Sequence, residues 1–133
     1  MKDELVKDNY SFDDLLRVIE RLTGENGCEW DKKQTHKSIL KNMLEEANEA
    51  HEAIVSGDIN AMIEETGDVM LQALFHADIA RREGAYTIDD VITVLTKKLI
   101  SRHPHVFGGE KATNADEALA FWNNAKAKEK GKQ

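Results

Sequence analysis

Two groups of carboxylate residues lie close together in the sequence and are candidates for metal-assisted chemistry. The first follows the pattern Glu-Glu-x-x-Glu from Glu45 to Glu49, and the second follows Glu-x-x-Asp from Glu65 to Asp68. Side chains three or four residues apart share one face of a helix, so each group can project from a single helix. Carboxylates brought together repel one another unless a cation lies between them. A hard divalent ion, most simply Mg²⁺, is the cation that such oxygen ligands prefer.

The composition predicts that helices position these carboxylates. The chain has 133 residues, a single proline and only 6% aromatic residues, and it is rich in Ala, Leu, Glu and Lys. This length supports one domain with its own core, and the composition favours an all-α class. We predict a four-helix-bundle-like core with an additional C-terminal helix, completed by oligomerisation. A polar leader (1–11) would precede a single domain (12–130).

Capping residues and glycines predict the bounds of five helices. The predicted helices run from Phe12 to Leu22, from about His36 to Val55, from about Ile59 to Glu83, from about Ile88 to Arg102, and from a cap at Thr113 into the Lys-rich tail. Segments 25–34 and 103–111 are predicted loops. Because the connections are short, neighbouring helices should be antiparallel. The turn at Gly57 and Asp58 would then let both carboxylate groups face one point.

The second predicted helix has one broad apolar face, which we expect to lie in the core. Its residues are Leu40, Met43, Leu44, Ala47, Ala50 and Ile54. On a helical wheel Glu46 lies at the edge of this face and Glu49 on its flank, whereas Glu45 lies roughly opposite its centre. Glu46 and Glu49 are therefore the two best placed to point inward together.

The third predicted helix is apolar almost all round between Val69 and Ala80, which is typical of a buried helix. A polar stripe within an arc of about 80° crosses it; its members are Glu65, Asp68, Gln72 and His76. Buried carboxylates need partners, and a network of satisfied polar groups is one alternative. A metal site is favoured over that network, because pairing four carboxylates would require several buried cations. A ferritin-like di-iron site is disfavoured, since neither His51 nor His76 has Glu three residues upstream.

Charge and composition disfavour several other classes. The formal net charge is -7, and no basic block is large enough to follow a nucleic-acid backbone. No apolar run approaches the length of a membrane span, and the N-terminus is too polar for a signal peptide. Cys28 is the only cysteine, so an intrachain disulfide is impossible. A cytoplasmic location is expected.

From about Phe12 to Lys128 the chain resembles the MazG-type nucleoside triphosphate pyrophosphohydrolases, part of the all-α NTP pyrophosphatase superfamily. The two carboxylate motifs carry the resemblance. Further matches are Trp30-Asp31, Gln34-Thr35-His36, Leu71-Gln72, Phe75-His76-Ala77, the segment KLISRHPHVFG (98–108) and the segment FWNNAK (121–126). One departure is Glu29, which stands where the family usually has proline. It leaves the details of base recognition open.

The resemblance implies Mg²⁺-dependent hydrolysis of NTPs or dNTPs between the α and β phosphates, with Mn²⁺ as a possible substitute for Mg²⁺. It implies that Glu46, Glu49, Glu65 and Asp68 are the metal ligands. Glu45 and Glu49 are the candidate catalytic residues, although Glu45 could equally be solvated. The candidate substrate-binding residues are Lys98, Arg102, Trp122 and Lys126, with Trp30 as a second candidate for base stacking. Surface positions for the Lys and Arg residues, and a core position for Trp122, are the alternatives.

The resemblance further implies a homodimer or higher homo-oligomer that acts in nucleotide-pool control or house-cleaning. Two functional alternatives stay open. The chain could be a nucleotide- or metal-binding regulatory module that has the fold without turnover. It could also be a helical protein-interaction domain, which would need no metal.

Overall fold

The computed structural model of the protein describes residues 3–131, and within them every regular element is a helix. The helices are α1 (Phe12–Thr23), α2 (Glu29–Lys32), α3 (Leu40–Ser56), α4 (Ile59–Glu83), α5 (Ile88–Ser101), α6 (Pro104–Phe107) and α7 (Ala115–Gly131). The all-α class predicted from composition is confirmed. The chain forms two compact units, one ending at Ile88 and the other beginning at Asp89. The predicted division into a leader and one domain stays a prediction.

Helix α1 begins at a capping box, as the sequence indicates. The backbone N–H of Asp14 donates to Ser11 Oγ at 3.2 Å, and the N–H of Ser11 donates to Asp14 Oδ2 at 3.0 Å. Lys7 Nζ also contacts Asp14 Oδ1 at 2.9 Å. These hydrogen bonds, chiefly the one from the backbone of Ser11, lower the pKa of Asp14 to about 2.

The segment before α1 contacts that helix where the structure describes it. Asp3 Oδ2 lies 2.9 Å from a guanidinium nitrogen of Arg21 in the last turn of α1. The part of the predicted leader formed by residues 1 and 2 lies outside the described residues. From residue 3 onward, ion pairs hold this segment to the first helix.

Helices α3 and α4 form an antiparallel hairpin, which is the largest helix–helix contact of the described chain. Gly57 ends α3 with φ 74°, a left-handed conformation that favours glycine. Asp58 then caps α4, since its Oδ1 accepts hydrogen bonds from the N–H groups of Asn60 at 3.0 Å and Ala61 at 3.3 Å. The predicted bounds of α4, Ile59 and Glu83, are confirmed. A connection of only two residues thus sets the two carboxylate-bearing helices side by side.

Helix α3 begins four residues later than predicted, at Leu40 and not at His36. The N–H of Thr35 donates to Ser38 Oγ at 2.8 Å, and the N–H of Ser38 donates to Thr35 Oγ1 at 3.1 Å. These reciprocal bonds stabilise a local turn in place of a first helical turn.

Three other local predictions are wrong in detail. The predicted loops contain the short helices α2 and α6. The last helix is capped by Asn114 and not by Thr113, because Asn114 Oδ1 accepts the N–H of Glu117 at 2.9 Å.

The core of the first unit lies around α4. Ile39, Phe75 and Ile79 form a buried cluster, with exposed fractions of 6%, 8% and 3%. Thr23 Oγ1 donates a hydrogen bond to the buried Asp78 Oδ2 at 2.7 Å, which connects the end of α1 to α4. Burial on α4 therefore begins near Gln72 and continues to Ala80.

The predicted burial of the apolar face of α3 is wrong for the chain on its own. Leu40, Leu44 and Ile54 are 58%, 70% and 60% exposed. The periodicity of a helix indicates that a face is apolar but does not identify the element that covers it. On α4, Val69 to Leu71 are also exposed in part, contrary to the predicted full burial. We call the exposed large apolar side chains of the two helices the hairpin surface; they are Leu40, Met43, Leu44, Ile54, Val55, Ile59, Ile63, Val69, Met70 and Leu71.

Between residues 3 and 131, the structure contains no helix that combines the length and the apolar character needed to cross a lipid bilayer.

Candidate functional site

The hairpin of α3 and α4 brings the two carboxylate groups together. Carboxylate oxygens of Glu46, Glu49 and Glu65 all lie within 4.8 Å of one another, although these residues come from different helices. A second set on α4, formed by Glu64, Glu65 and Asp68, meets the same limit. Glu65 belongs to both sets and joins them. We call the five residues of these two sets the acidic cluster.

Two oxygens of the acidic cluster are buried without a hydrogen-bond partner in the described part of the chain. They are Oε2 of Glu46 and Oε2 of Glu65. Desolvation, followed by the charges of Glu49 and Asp68, raises the pKa of Glu46 above its ordinary value. The same causes raise the pKa of Glu65 to about 7. Negative charge on these two carboxylates therefore destabilises the folded chain, and no side chain among residues 3–131 offsets this effect.

This donor set fits a hard divalent cation. The available ligand atoms are carboxylate oxygens from neighbouring helical turns, the type that Mg²⁺ and Mn²⁺ prefer. A cation would also interact with the two buried oxygens that lack a hydrogen-bond partner. The structure thus brings Glu46, Glu49, Glu65 and Asp68 close together on the hairpin. Their role as metal ligands stays a prediction.

Two further carboxylates lie beside this set. Glu45 is exposed, belongs to neither three-oxygen set, and has its Oε1 3.6 Å from Lys41 Nζ. Its charge nonetheless contributes to the raised pKa of Glu46. Glu64 was missed by the sequence reasoning, which followed the Glu-x-x-Asp motif only. The spacing of four residues between Glu64 and Asp68 was the available signal, since such residues share a helix face.

The polar stripe predicted on α4 continues from the carboxylates into the buried part of that helix. Gln72 is only 9% exposed. His76 is stacked on His36, with a distance of 2.8 Å between their Nδ1 atoms. Burial, and then the neighbouring His36, lower the pKa of His76. One of the two imidazoles therefore donates a hydrogen bond to the other, which extends the stripe to the segment before α3.

Trp30, a candidate for base stacking, lies in α2 with 65% of its surface exposed. Lys33 Nζ stands 4.8 Å from the centroid of its ring. Gln34 Nε2 donates to the Trp30 carbonyl oxygen at 2.8 Å and fixes the end of this short helix. An exposed indole on a fixed backbone is suited to stacking on a planar ligand.

The second unit contains the other four predicted substrate-binding residues, and two of them contact each other. The guanidinium carbon of Arg102 lies 4.4 Å from the centroid of the Trp122 ring. Arg102 is only 8% exposed, and one of its terminal nitrogens donates to Glu129 Oε2 at 2.7 Å. Trp122 also meets His103 edge to face, with centroids 5.7 Å apart. Sequence reasoning missed Glu129, because a contact 27 residues away from Arg102 has no local signature.

Lys98 and Lys126 differ in their environments. Lys98 is half-buried near the end of α5, and Lys126 is exposed on α7. The pKa of Glu129 is lowered mainly by its hydrogen bond from Arg102, with a smaller contribution from the charge of Lys98. Lys98 and Arg102 therefore lie close enough to act on the same anion, whereas Lys126 has the solvated surface position of an ordinary lysine.

Removing one charge from the acidic cluster is expected to stabilise the metal-free protein. A carboxyl whose pKa is raised on folding destabilises the folded state above that pKa, so stability should fall as the pH rises through about 7. In EDTA, Glu65→Gln should therefore raise Tm at about pH 8 and have little effect at about pH 5, where Glu65 is protonated. Thermal melts followed by circular dichroism measure this difference. A lower Tm of the variant at both pH values would contradict it.

The fold and the cluster together define an all-α protein with a carboxylate site on a helical hairpin, and sequence comparison specifies the family. The profile of the MazG nucleotide pyrophosphohydrolase domain matches residues 34–107. This range includes both carboxylate motifs and the turn between them. The chain therefore belongs to the MazG nucleotide pyrophosphohydrolase domain family.

Individual relatives support this membership. The chain is 48% identical over 122 residues to the nucleoside triphosphate pyrophosphohydrolase/pyrophosphatase MazG of Thermotoga maritima, a match that covers 92% of this chain and 46% of the relative. It is 39% identical to the nucleoside triphosphate pyrophosphohydrolase of Escherichia coli, over 91% of this chain and 46% of the relative. The chain thus spans about half the length of these curated relatives.

A solved structure supports the fold. The crystal structure of a mazG-related protein from Thermotoga maritima superposes with a TM-score of 0.73 at 30% sequence identity. The match covers 86% of this chain and 98% of the other.

Proposed function

We propose that the chain hydrolyses nucleoside triphosphates, ribo or deoxy, between the α and β phosphates, giving a nucleoside monophosphate and pyrophosphate. The observation that carries this proposal is the acidic cluster, in which two helices direct carboxylate oxygens to within 4.8 Å of one another. The relatives are named nucleoside triphosphate pyrophosphohydrolases, and this name gives the class of reaction. A triphosphate brings several negative charges, so a site made of carboxylates can bind it only together with a cation.

Glu46, Glu49, Glu65 and Asp68 would hold that cation, Mg²⁺ or in its place Mn²⁺. A divalent ion there would neutralise polyphosphate charge and acidify a water molecule. Glu49 is the most exposed of the four, and Glu45 lies beside the cluster in solvent. These two residues are therefore the ones that could accept a proton from the attacking water or orient it.

Cationic and aromatic side chains would hold the rest of the nucleotide. Arg102 is the proposed phosphate ligand with the strongest structural support, because it already donates to the carboxylate of Glu129, and Lys98 precedes it by four residues. Lys126 is a weaker candidate because of its solvated position. Trp122, stacked with Arg102, and the exposed Trp30 are the proposed stacking residues.

Product analysis tests the reaction. The purified chain is incubated with a panel of NTPs and dNTPs, in Mg²⁺ and in EDTA, and the products are separated by anion-exchange chromatography. Monophosphate and pyrophosphate, formed only with metal, are expected. Diphosphate and orthophosphate would contradict the proposed bond. Absence of turnover on every nucleotide, with Mg²⁺ still raising Tm, would favour a non-catalytic nucleotide- or metal-binding module.

The contribution of Lys98 is expected to be measurable. Charge-assisted hydrogen bonds are among the stronger polar interactions, so Lys98→Ala should lower kcat/KM for NTP by about tenfold or more. Lys97→Ala is the matched control, since Lys97 is the exposed neighbour on the same helix. Steady-state kinetics at saturating Mg²⁺ measure both variants. Equal effects of the two substitutions would assign Lys98 to the solvated surface.

We further propose that the active form is a homodimer or higher homo-oligomer in which a second copy of the chain covers the hairpin surface. Side chains of this surface are as much as 74% exposed, the value for Val55. Large exposed apolar areas are rare on monomers and mark an interface. A self-complementary apolar face on two antiparallel helices suits the symmetric contact of a dimer.

The proposed role is nucleotide-pool control or house-cleaning in the cytoplasm, where nucleoside triphosphates are made and used. The single Cys28 is compatible with a reducing compartment. The formal net charge of -7 disfavours a nucleic acid partner, since a polyanion would be repelled. A nucleotide and a second copy of the chain are therefore the proposed partners.

A further inference from the structure

A cavity of about 480 Å³ opens beside the acidic cluster, between α2 and the hairpin. This volume lies within the range of small-molecule sites. Aromatic and aliphatic surface comes from Trp30, Leu71 and Phe75, and amide groups come from Gln34, Asn42 and Gln72. Flat apolar walls combined with a few amides suit a planar ligand that has hydrogen-bonding groups at its edge.

The cavity lies about one helical turn from the carboxylates. Asn42 precedes Glu46 by four residues on α3, and Gln72 follows Asp68 by four residues on α4. Because the helices are antiparallel, both steps lead away from the Gly57 turn, each by about 6 Å along its axis. A ligand in the cavity and a polyphosphate at the carboxylates would thus be separated by a short spacer, which in a nucleotide is the sugar.

The amide side chains that line the cavity differ in whether they already have hydrogen-bond partners. Gln34 is engaged, since its Nε2 donates to the Trp30 carbonyl oxygen and its Oε1 accepts from Ser38 Oγ, both at 2.8 Å. Gln72 is 9% exposed, and its amide hydrogen-bonds to no group between residues 3 and 131. The oxygen and nitrogen of this amide are not among the fully buried polar atoms that lack a partner, so they remain accessible to solvent in the cavity. A ligand bound in the cavity could therefore supply the hydrogen-bond partner that the Gln72 amide lacks within residues 3–131.

We propose that this cavity binds the nucleobase and that Gln72, assisted by Asn42, hydrogen-bonds to the edge of the base. This inference rests on the proposed function, because it names the substrate-reading part of the same site. Carboxamides pair bidentately with an edge that presents one donor beside one acceptor, as adenine does. No partner within residues 3–131 fixes the orientation of the Gln72 amide, so the amide can present its donor and acceptor in either order. The cavity therefore accepts all four common bases and disfavours a base that lacks the edge donor.

Adenosine and purine riboside test this inference without phosphate, metal or turnover. The two nucleosides differ only in the 6-amino group, which is the donor that Gln72 would contact. Each is titrated into the ¹⁵N-labelled chain in EDTA, and the side-chain amide signals are followed by NMR. Adenosine should bind about three- to tenfold more tightly than purine riboside, the effect of one hydrogen bond. The amide signal of Gln72, assigned from its loss in Gln72→Leu, should shift on binding.

Variants test whether the preference for adenosine over purine riboside arises in the cavity. Gln72→Leu keeps the approximate size of the side chain and should bind adenosine and purine riboside equally. Gln72→Glu is a second variant that retains polarity, and it should also lose the bidentate hydrogen bonding to the edge of the base. Asn48→Leu is the control, since Asn48 is an exposed amide on α3 outside the cavity. Circular dichroism checks that each variant is folded. Control and wild type should show the same preference for adenosine.

Two results would overturn the inference: equal binding of the nucleosides by wild type, or an unchanged preference in folded Gln72→Leu and Gln72→Glu. Neither result affects the proposed hydrolysis, which depends on the acidic cluster. Conversely, adenosine preference lost in the Gln72 variants would support the cavity even if no nucleoside triphosphate were hydrolysed. The failure of one proposal is therefore distinguishable from the failure of the other.

Discussion

Replacing Asp68 by alanine is expected to lower kcat/KM for NTP hydrolysis by more than about 100-fold. Loss of a residue that only orients a metal ligand already costs about 10- to 100-fold, and loss of a ligand should cost more. Glu49→Ala should have a similar effect. Steady-state kinetics at several Mg²⁺ concentrations measure it, because a weakened metal site also shifts the Mg²⁺ dependence to higher concentration.

The matched control for these variants is Glu52→Ala. Glu52 is an exposed glutamate of α3 and belongs to neither three-oxygen set. It should retain wild-type activity, and all three variants should retain the helical circular dichroism signal. Hydrolysis that survives in folded Glu49→Ala and Asp68→Ala would mean that the acidic cluster does not bind the catalytic metal.

The second large effect is expected at the hairpin surface. Leu40 and Ile54 are 58% and 60% exposed, so their replacement by lysine should leave the fold of one chain intact. Burial of each side chain in a dimer is worth about 1.5–3 kcal/mol. The double variant should therefore weaken self-association by at least about 100-fold. Light scattering coupled to size-exclusion chromatography, over a range of protein concentrations, measures this change.

Val6→Lys is the control for the hairpin surface. Val6 is an apolar residue that is 52% exposed but lies outside the two helices. This variant should associate as wild type does. A wild-type chain that remains a monomer at every concentration would contradict the proposed second copy.

Local signals predicted the helices well where side chains cap them. Ser11 and Asp58 each satisfy backbone N–H groups of the helix that follows, and α1 and α4 begin where these residues predict. The start of α3 was missed because Thr35 and Ser38 bond to each other, an alternative that a capping pattern does not distinguish.

The other features of the fold and the site depend on tertiary contacts, which local sequence patterns do not identify. Helical periodicity placed Glu46 and Glu49 on one side of α3, and the short turn was sufficient to place them near Glu65. The pairing of Arg102 with Glu129, and the unpartnered amide of Gln72 in a cavity, depend on contacts between elements. Sequence alone also could not tell whether the apolar face of α3 is covered within the chain, because an apolar stripe is the same pattern in either case.

The two-residue turn at Gly57 and Asp58 has a consequence for the order of folding. Glu49 and Glu65 are close in space and only a short loop apart in sequence, so the entropy lost when that loop closes is small. Such local contacts form early, whereas the bond from Thr23 to Asp78 closes 55 residues. The hairpin can therefore assemble the carboxylates before α1 docks, and a cation present at that stage would favour the native pairing of α3 with α4.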